Sequence, residues 1–290
     1  MRVKKKIRDR ILPAQCRKIA RNVFRLYALA PVLRVFAFAG AKSALNDFEY
    51  CATSQHGEDG ILDRIFSVIG FKSRVFVEFG FHPAEANALL LLYKKSFTGL
   101  FIDGDAGVCA LAEKILGRFV AHRKLRIVNA LLNPQTIDAV FKANGISGEI
   151  DLLSVDVDSI DYWLWQAIRA IRPRVVIVET TLRLGLGEAV TQALDPPRPA
   201  LDDPALSPCR GASPLALFEL GAAKGYRFLG ADSSGVNMFF LRADIAAPNL
   251  VSVDLAQAFE RAFARSKKPP DIVAPEIIVR ALGRGLLVRP

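Results

Sequence analysis

The chain has 290 residues, of which 51% are hydrophobic and 23% charged, and carries a formal net charge of +10. These proportions exclude a disordered or fibrous protein and allow one large α/β domain with appendages or two small ones. Residues 1–34 hold eleven Lys/Arg against one acid, Asp9, and the rest of the chain is neutral, which excludes the basic folded surface of a nucleic-acid-binding core.

The first 50 residues read as a basic arm. Cys16, Ile19, Ala20, Val23, Tyr27 and Ala30 recur at helical spacing, with Arg17, Lys18, Arg21 and Arg25 off that stripe. Two readings stand side by side: attachment of residues 1–45 to an anionic membrane surface, with Phe36 and Phe38 in the interface, or a helix docked on its own domain. The start lacks the apolar core and cleavage site of a secretory signal, and Leu26 to Ala41 is interrupted by Pro31 and Arg34 and too short to span a bilayer. Cys51, Cys109 and Cys209 follow Cys16 at wide intervals, without zinc-site spacing. A cytoplasmic protein, possible as a peripheral one at the inner membrane face, is the expectation.

Residues 51–245 read as the main domain. Ser54 to Gly70 opens it as a helix with an apolar stripe of Ile61, Leu62, Ile65, Phe66 and Ile69; Glu58 and Asp59 in its first turn complement the helix dipole. Arg74 to Asn87 is the centre of the chain. Val75 to Phe79 is a short buried strand, Glu78 lies at its end, Gly80 follows, and Ala86 to Tyr93 is helical. A doubly wound sheet presents an acid and a helix N-terminus to a nucleotide-like ligand in this way.

The alternation continues through strand Thr98 to Asp103, helix Ala106 to Leu116, strand Arg126 to Leu131 and helix Pro134 to Asn144. Strand Asp151 to Val157, helix Tyr162 to Ile171 and strand Arg174 to Glu179 complete it. Such alternation predicts a parallel sheet with right-handed crossovers, and apolar runs such as Val175 to Val178 suit strands covered on both faces. Residues 183–214, rich in Pro and Gly, read as an irregular excursion and a candidate lid. Helix Leu215 to Lys224 and a hairpin of Tyr226 to Leu229 with Val236 to Arg242 follow. Residues 246–290 read as a helical tail, either solvated or sharing one basic face with the arm through Arg280, Arg284 and Arg289. The fold class expected is thus α/β: a Rossmann-like, doubly wound, mostly parallel seven-stranded sheet with an antiparallel C-terminal hairpin.

The ordered blocks SQHGEDGIL, VFVEFG with Asn87, GLFIDGD, DLLSVDVDSIDYW, RPRVVIVE and the late GAS, KGY and GVNMFF, between Ser54 and about Asp244, resemble the FkbM-type S-adenosylmethionine-dependent methyltransferases. The resemblance implies O-methyl transfer from S-adenosylmethionine to a hydroxyl of a glycan, lipid-linked or other small-molecule acceptor. It puts the cofactor motif on Glu78 and Gly80, with Asn87 just beyond. Asp103 takes the ribose-binding position at the end of the second strand. Asp156 and Asp158 fall where donor and acceptor meet, and Gln55, Glu58 and Asp59 approach from the N-terminal side.

The loop after Gly80 departs from that family: Phe81, His82, Pro83 and Ala84 stand where further glycines are expected. Two other readings therefore stay open. One is a catalytically silent methyltransferase-like binding module. The other takes Asp156 and Asp158 as the Asp-x-Asp of a metal-dependent glycosyltransferase; the methyltransferase reading itself assigns no metal.

Overall fold

A computed structural model describes residues 30–38, 44–265 and 271–290. The apolar stripe from Cys16 to Tyr27, the basic residues beside it and the side chains of Phe36 and Phe38 lie outside the described residues. Among the described residues no helix is long and apolar enough to cross a membrane.

Helix α1 (Ala30–Phe38) precedes α2 (Glu58–Ile69), β1 (Val75–Phe79), α3 (Leu89–Lys94), β2 (Thr98–Asp103), α4 (Ala106–Ala121) and β3 (Leu125–Asn129). Next come α5 (Ile137–Ala143), β4 (Gly148–Val155), α6 (Asp161–Ala167) and β5 (Ile171–Glu179). After β6 (Thr191–Gln192), α7 (Arg198–Leu201) and α8 (Pro214–Ala223), the sheet is closed by β7 (Tyr226–Ala231) and β8 (Asn237–Arg242). Helices α9 (Leu255–Arg265) and α10 (Pro275–Gly283) and strand β9 (Leu287–Val288) end the chain.

The main sheet has the order β3-β2-β1-β4-β5-β8-β7. Strands β1 to β5 pair in parallel, and β8 runs antiparallel to both β5 and β7. This is the expected α/β architecture. Strand order reverses between β1 and β4, the place where an open parallel sheet leaves a crevice at its carboxyl edge.

Residue alternation along the strands fills both faces. Val77, Phe79, Leu153, Val155, Val176, Val178 and Phe240 pack on one side. Phe76, Leu152, Val175, Ile177, Phe239 and Leu241 pack on the other, against Ile61, Ile65 and Phe66 of α2. Burial on both faces is what crossover helices impose on a parallel sheet, at roughly 1.5–3 kcal/mol for each large side chain removed from water. Local signals set the helix starts: the Asp105 carboxylate accepts the N–H groups of Gly107 and Val108 at 2.6 and 3.2 Å, and Ser213 caps α8 ahead of Pro214.

Residues 183–214 and the tail form a small core of their own. Leu184, Val190, Leu206 and Cys209 pack with Val273, Ile278, Ala281, Leu286 and Leu287, and β6 pairs with β9. The tail is therefore not a solvated helix. Its arginines face this segment as well: Arg280 and Arg284 both meet Asp203, and Arg289 meets Glu188 at 2.9 Å. The charge pattern alone lacked these partners, which lie about 80–100 residues away in sequence.

Candidate functional site

The crevice at the switch point is divided into two lobes that share Gly80, Asp156 and Asp158. One lobe, about 270 Å³, is walled by Ile102, Leu131, Leu132, Ile160 and Leu164, with Asp103 at its edge. Leu131 is 90% exposed, an unusual state for leucine, and stands beside Gly104 on the rim. The other lobe, about 380 Å³, is lined by Glu58, Glu78, Glu85, Asp156, Asp158 and Glu179 together with Gln55, His56, His82 and Asn237. Among the described residues neither lobe has a lysine or arginine in its lining.

Pleat and register explain why the acids converge. Glu78 is opposite Ser154, and Ser154 is opposite Ile177. Two residues on, Asp156 and Glu179 occupy the same face beyond them, and Glu179 is opposite Asn237. Oxygens of Asp156, Asp158 and Glu179 lie within 4.8 Å of one another. Asp158 holds φ at 64°, a left-handed conformation that Asp tolerates better than most residues.

The sequence-derived residues divide by task. Glu78 is 3% exposed, and its two oxygens accept the N–H groups of Asn87 and Ala88 at 2.8 Å each. It therefore fixes the approach to α3 while lining the acidic lobe. Asn87 in turn donates through Nδ2 to Ser154 Oγ at 3.1 Å, tying that approach to β4. Glu58 accepts His56 N–H at 2.7 Å and Asn237 Nδ2 at 2.8 Å. Gln55 is exposed at the lobe's margin. Asp103 is half-buried, with Oδ1 accepting Asp105 N–H at 2.7 Å.

Gly80 serves the meeting of two strands. It holds φ at +63°, and a Cβ there would stand 1.4 Å from the Asp156 carbonyl oxygen. The bulky loop after it borders the acidic lobe through Phe81 and His82. Phe81 is buried and stacked on Phe101, centroids 4.3 Å apart, and Pro83 lines neither lobe. None of residues 183–214 lines either lobe.

Burial in this acidic setting raises carboxyl pKa values. Glu58 is pushed up to about 7, by burial first and Asp232 second. Glu78 rises to about 8 because burial outweighs its two amide bonds. Asp156 is raised by burial, and Glu179 by burial and then by Asp156. Like charges this close disfavour one another's ionised forms.

Neither Glu179, which departs from the family's pattern at the end of the fifth strand, nor Asn237 is given a site role by the sequence. The available signal for Glu179 was an acid closing an apolar strand, the same pattern as Glu78. Asn237 carried none, because its place depends on pairing with β5.

No protein-family model matches the chain, and no curated protein matches it. Among solved structures it is similar to the O-methyltransferase from Bacillus cereus in complex with SAH, at 13% identity and a TM-score of 0.42, covering 74% of this chain and 99% of that one. An S-adenosylmethionine-dependent methyltransferase from Clostridium acetobutylicum matches at 9% identity and 0.39, over 66% and 92%. The pyocyanin biosynthetic protein PhzM matches at 18% and 0.38, over 62% of this chain and 53%, about half, of its own length. Likeness at this level leaves the functional question to the site.

Proposed function

We propose that the crevice binds S-adenosylmethionine and directs its methyl group to a hydroxyl oxygen. The observation that carries this reading is the pairing of an apolar lobe, edged by one acid, with a second lobe rich in carboxylates. A flat base between Leu131 and Ile160 and a ribose diol on Asp103 suit the first lobe. A sulfonium and an ammonium suit the second, with Gln55 and His56 as donors to the ligand's carboxylate. Among the described residues, the absence of Lys and Arg from both linings disfavours a phosphate-bearing nucleotide.

Asp156 and Asp158, common to both lobes, stand where donor and acceptor meet. Methyl displacement at sulfonium is in line, so the chain's task is to align the acceptor oxygen about 3–3.5 Å from the carbon. The oxygen gains the methyl, the sulfonium leaves as a neutral thioether, and the hydroxyl proton passes to a carboxylate such as Asp156. The acceptor class we propose is a glycan or lipid-linked hydroxyl. The basic arm supports this by offering positive charge to an anionic membrane, and salt-sensitive co-sedimentation of the full chain with anionic liposomes is expected. Indifference to lipid charge would remove the membrane part of the proposal.

Isothermal titration of the full chain with S-adenosylmethionine tests the donor. Binding is expected, and Asp103→Ala is expected to weaken it about 10- to 100-fold through loss of hydrogen bonds to a charged acceptor. A folded protein that takes up no donor would leave the silent binding module as the reading.

A further inference from the structure

We propose that the cavity at the amino edge of the main sheet, opposite the crevice, binds the phosphate group of a small phosphomonoester through Arg169, Arg172 and Lys224. Strands β5 and β7 begin there and antiparallel β8 ends there, so the opening lies a full strand length from Glu179. Its volume is about 460 Å³, more than either lobe of the crevice and within the roughly 300–1,000 Å³ of small-molecule sites. Buried Trp165, Ile168 and Ile171 supply an apolar wall.

Charge in the lining selects the ligand. Arg169, Arg172, Lys224 and Arg242 stand against one acid, Asp244. Arg242 is matched by Asp244 at 2.7 Å and Glu149 at 2.5 Å, and Arg172 meets Asp244 only at 3.9 Å. Arg169 and Lys224 form no ion pair among the described residues. Both side chains donate instead to the carbonyl oxygens of Gln166 and Ile168 at the end of α6, Lys224 Nζ at 3.2 and 3.1 Å. Two cations are thereby held side by side, and a helix C-terminus offers them at most about half an elementary negative charge. The nearby Asp138 carboxylate accepts the main-chain N–H groups of Arg169 and Ala170 at 3.0 and 2.9 Å. Burial, and then Arg169, lower the Lys224 pKa to about 8, the mark of an ammonium without a full counter-charge. A phosphomonoester, with roughly −1.5 to −2 charge at neutral pH and three acceptor oxygens, supplies that counter-charge, and the arginine fork matches its oxygens in pairs.

Phenyl phosphate is the probe, titrated calorimetrically into the full chain at neutral pH with no other phosphate present. One saturable site per chain is expected. Lys224→Met keeps the aliphatic stem, and Arg169→Gln changes an exposed side chain and so spares the fold. Each is expected to weaken binding about ten-fold or more, the cost of one hydrogen bond to a charged group. Lys124→Met, in a separate basic hollow beside Arg123 and Arg126 on the same edge, is expected to stay within about two-fold of the parent. No saturation of the parent chain, unchanged binding by Arg169→Gln, or equal weakening by Lys124→Met would each overturn the proposal. The site does not rest on the methyl-donor reading. S-adenosylmethionine should leave phenyl phosphate binding unchanged whether or not the donor itself binds; displacement would put the probe in the crevice and overturn the proposal. Competition by phosphatidylcholine vesicles with and without phosphatidic acid separates the two sources of this chemistry. Displacement only by those with phosphatidic acid assigns a lipid headgroup, no displacement assigns a soluble ester, and both results support the cavity as a phosphate site.

Discussion

An alanine at position 80 is expected to lower stability by about 2–5 kcal/mol, the sum of a left-handed backbone forced on an L-residue and overpacking against main chain. The added Cβ would fall 1.4 Å from the Asp156 carbonyl oxygen, a backbone atom that cannot rotate away as a side chain could. Relief requires β1 and β4 to separate where both lobes meet. The midpoint of thermal unfolding should drop by roughly 5–15 °C, and donor binding should weaken in the surviving folded fraction. An unchanged midpoint in calorimetry would show that the strand ends approach less closely than the geometry requires.

Asp59→Ala should be comparably damaging. Asp59 is fully buried and gathers the N–H groups of Ala52, Thr53 and Ser54 at 2.7, 2.6 and 2.9 Å, with the Thr53 hydroxyl at 2.9 Å. Alanine leaves these donors in a site shut off from water. At roughly 1–3 kcal/mol for each orphaned group, partly recovered by water entry, the loss should reach about 3–6 kcal/mol. Residues 52–57 should exchange amide hydrogens faster, and Gln55 and His56 should lose their fixed place at the acidic lobe. Protection equal to that of the parent chain would show that other contacts hold this loop. Asp59→Asn, which keeps one acceptor oxygen, is expected to lose less.

Asp59 also shows where local reading stops. In sequence it is an acid in the first turn of a helix, and α2 does begin at Glu58. Its carboxylate, however, is spent on the loop before the helix. Glu78 behaves similarly: its position at the end of an apolar strand was legible, while its two bonds to Asn87 and Ala88 required the folded turn. The tail shows the limit more plainly. Alternating apolar residues and arginines gave no means of telling a solvated helix from one packed on residues 183–214, because the cover is distant in the chain.

By itself the sequence determined the alternation of strands and helices, the burial of both sheet faces and the presence of acids at strand ends. Those features are local: two-residue and helical periodicities, turn residues and caps act over a few positions. It also determined side-chain parity, placing Glu78 with Phe76 on β1 and Glu179 with Ile177 on β5. The tertiary structure alone decided that β4 lies between β1 and β5, that β8 returns antiparallel beside β5, and that Asp156, Glu179 and Asn237 therefore become neighbours. Strand order follows from how whole layers pack and cross over, and no short stretch of chain encodes it.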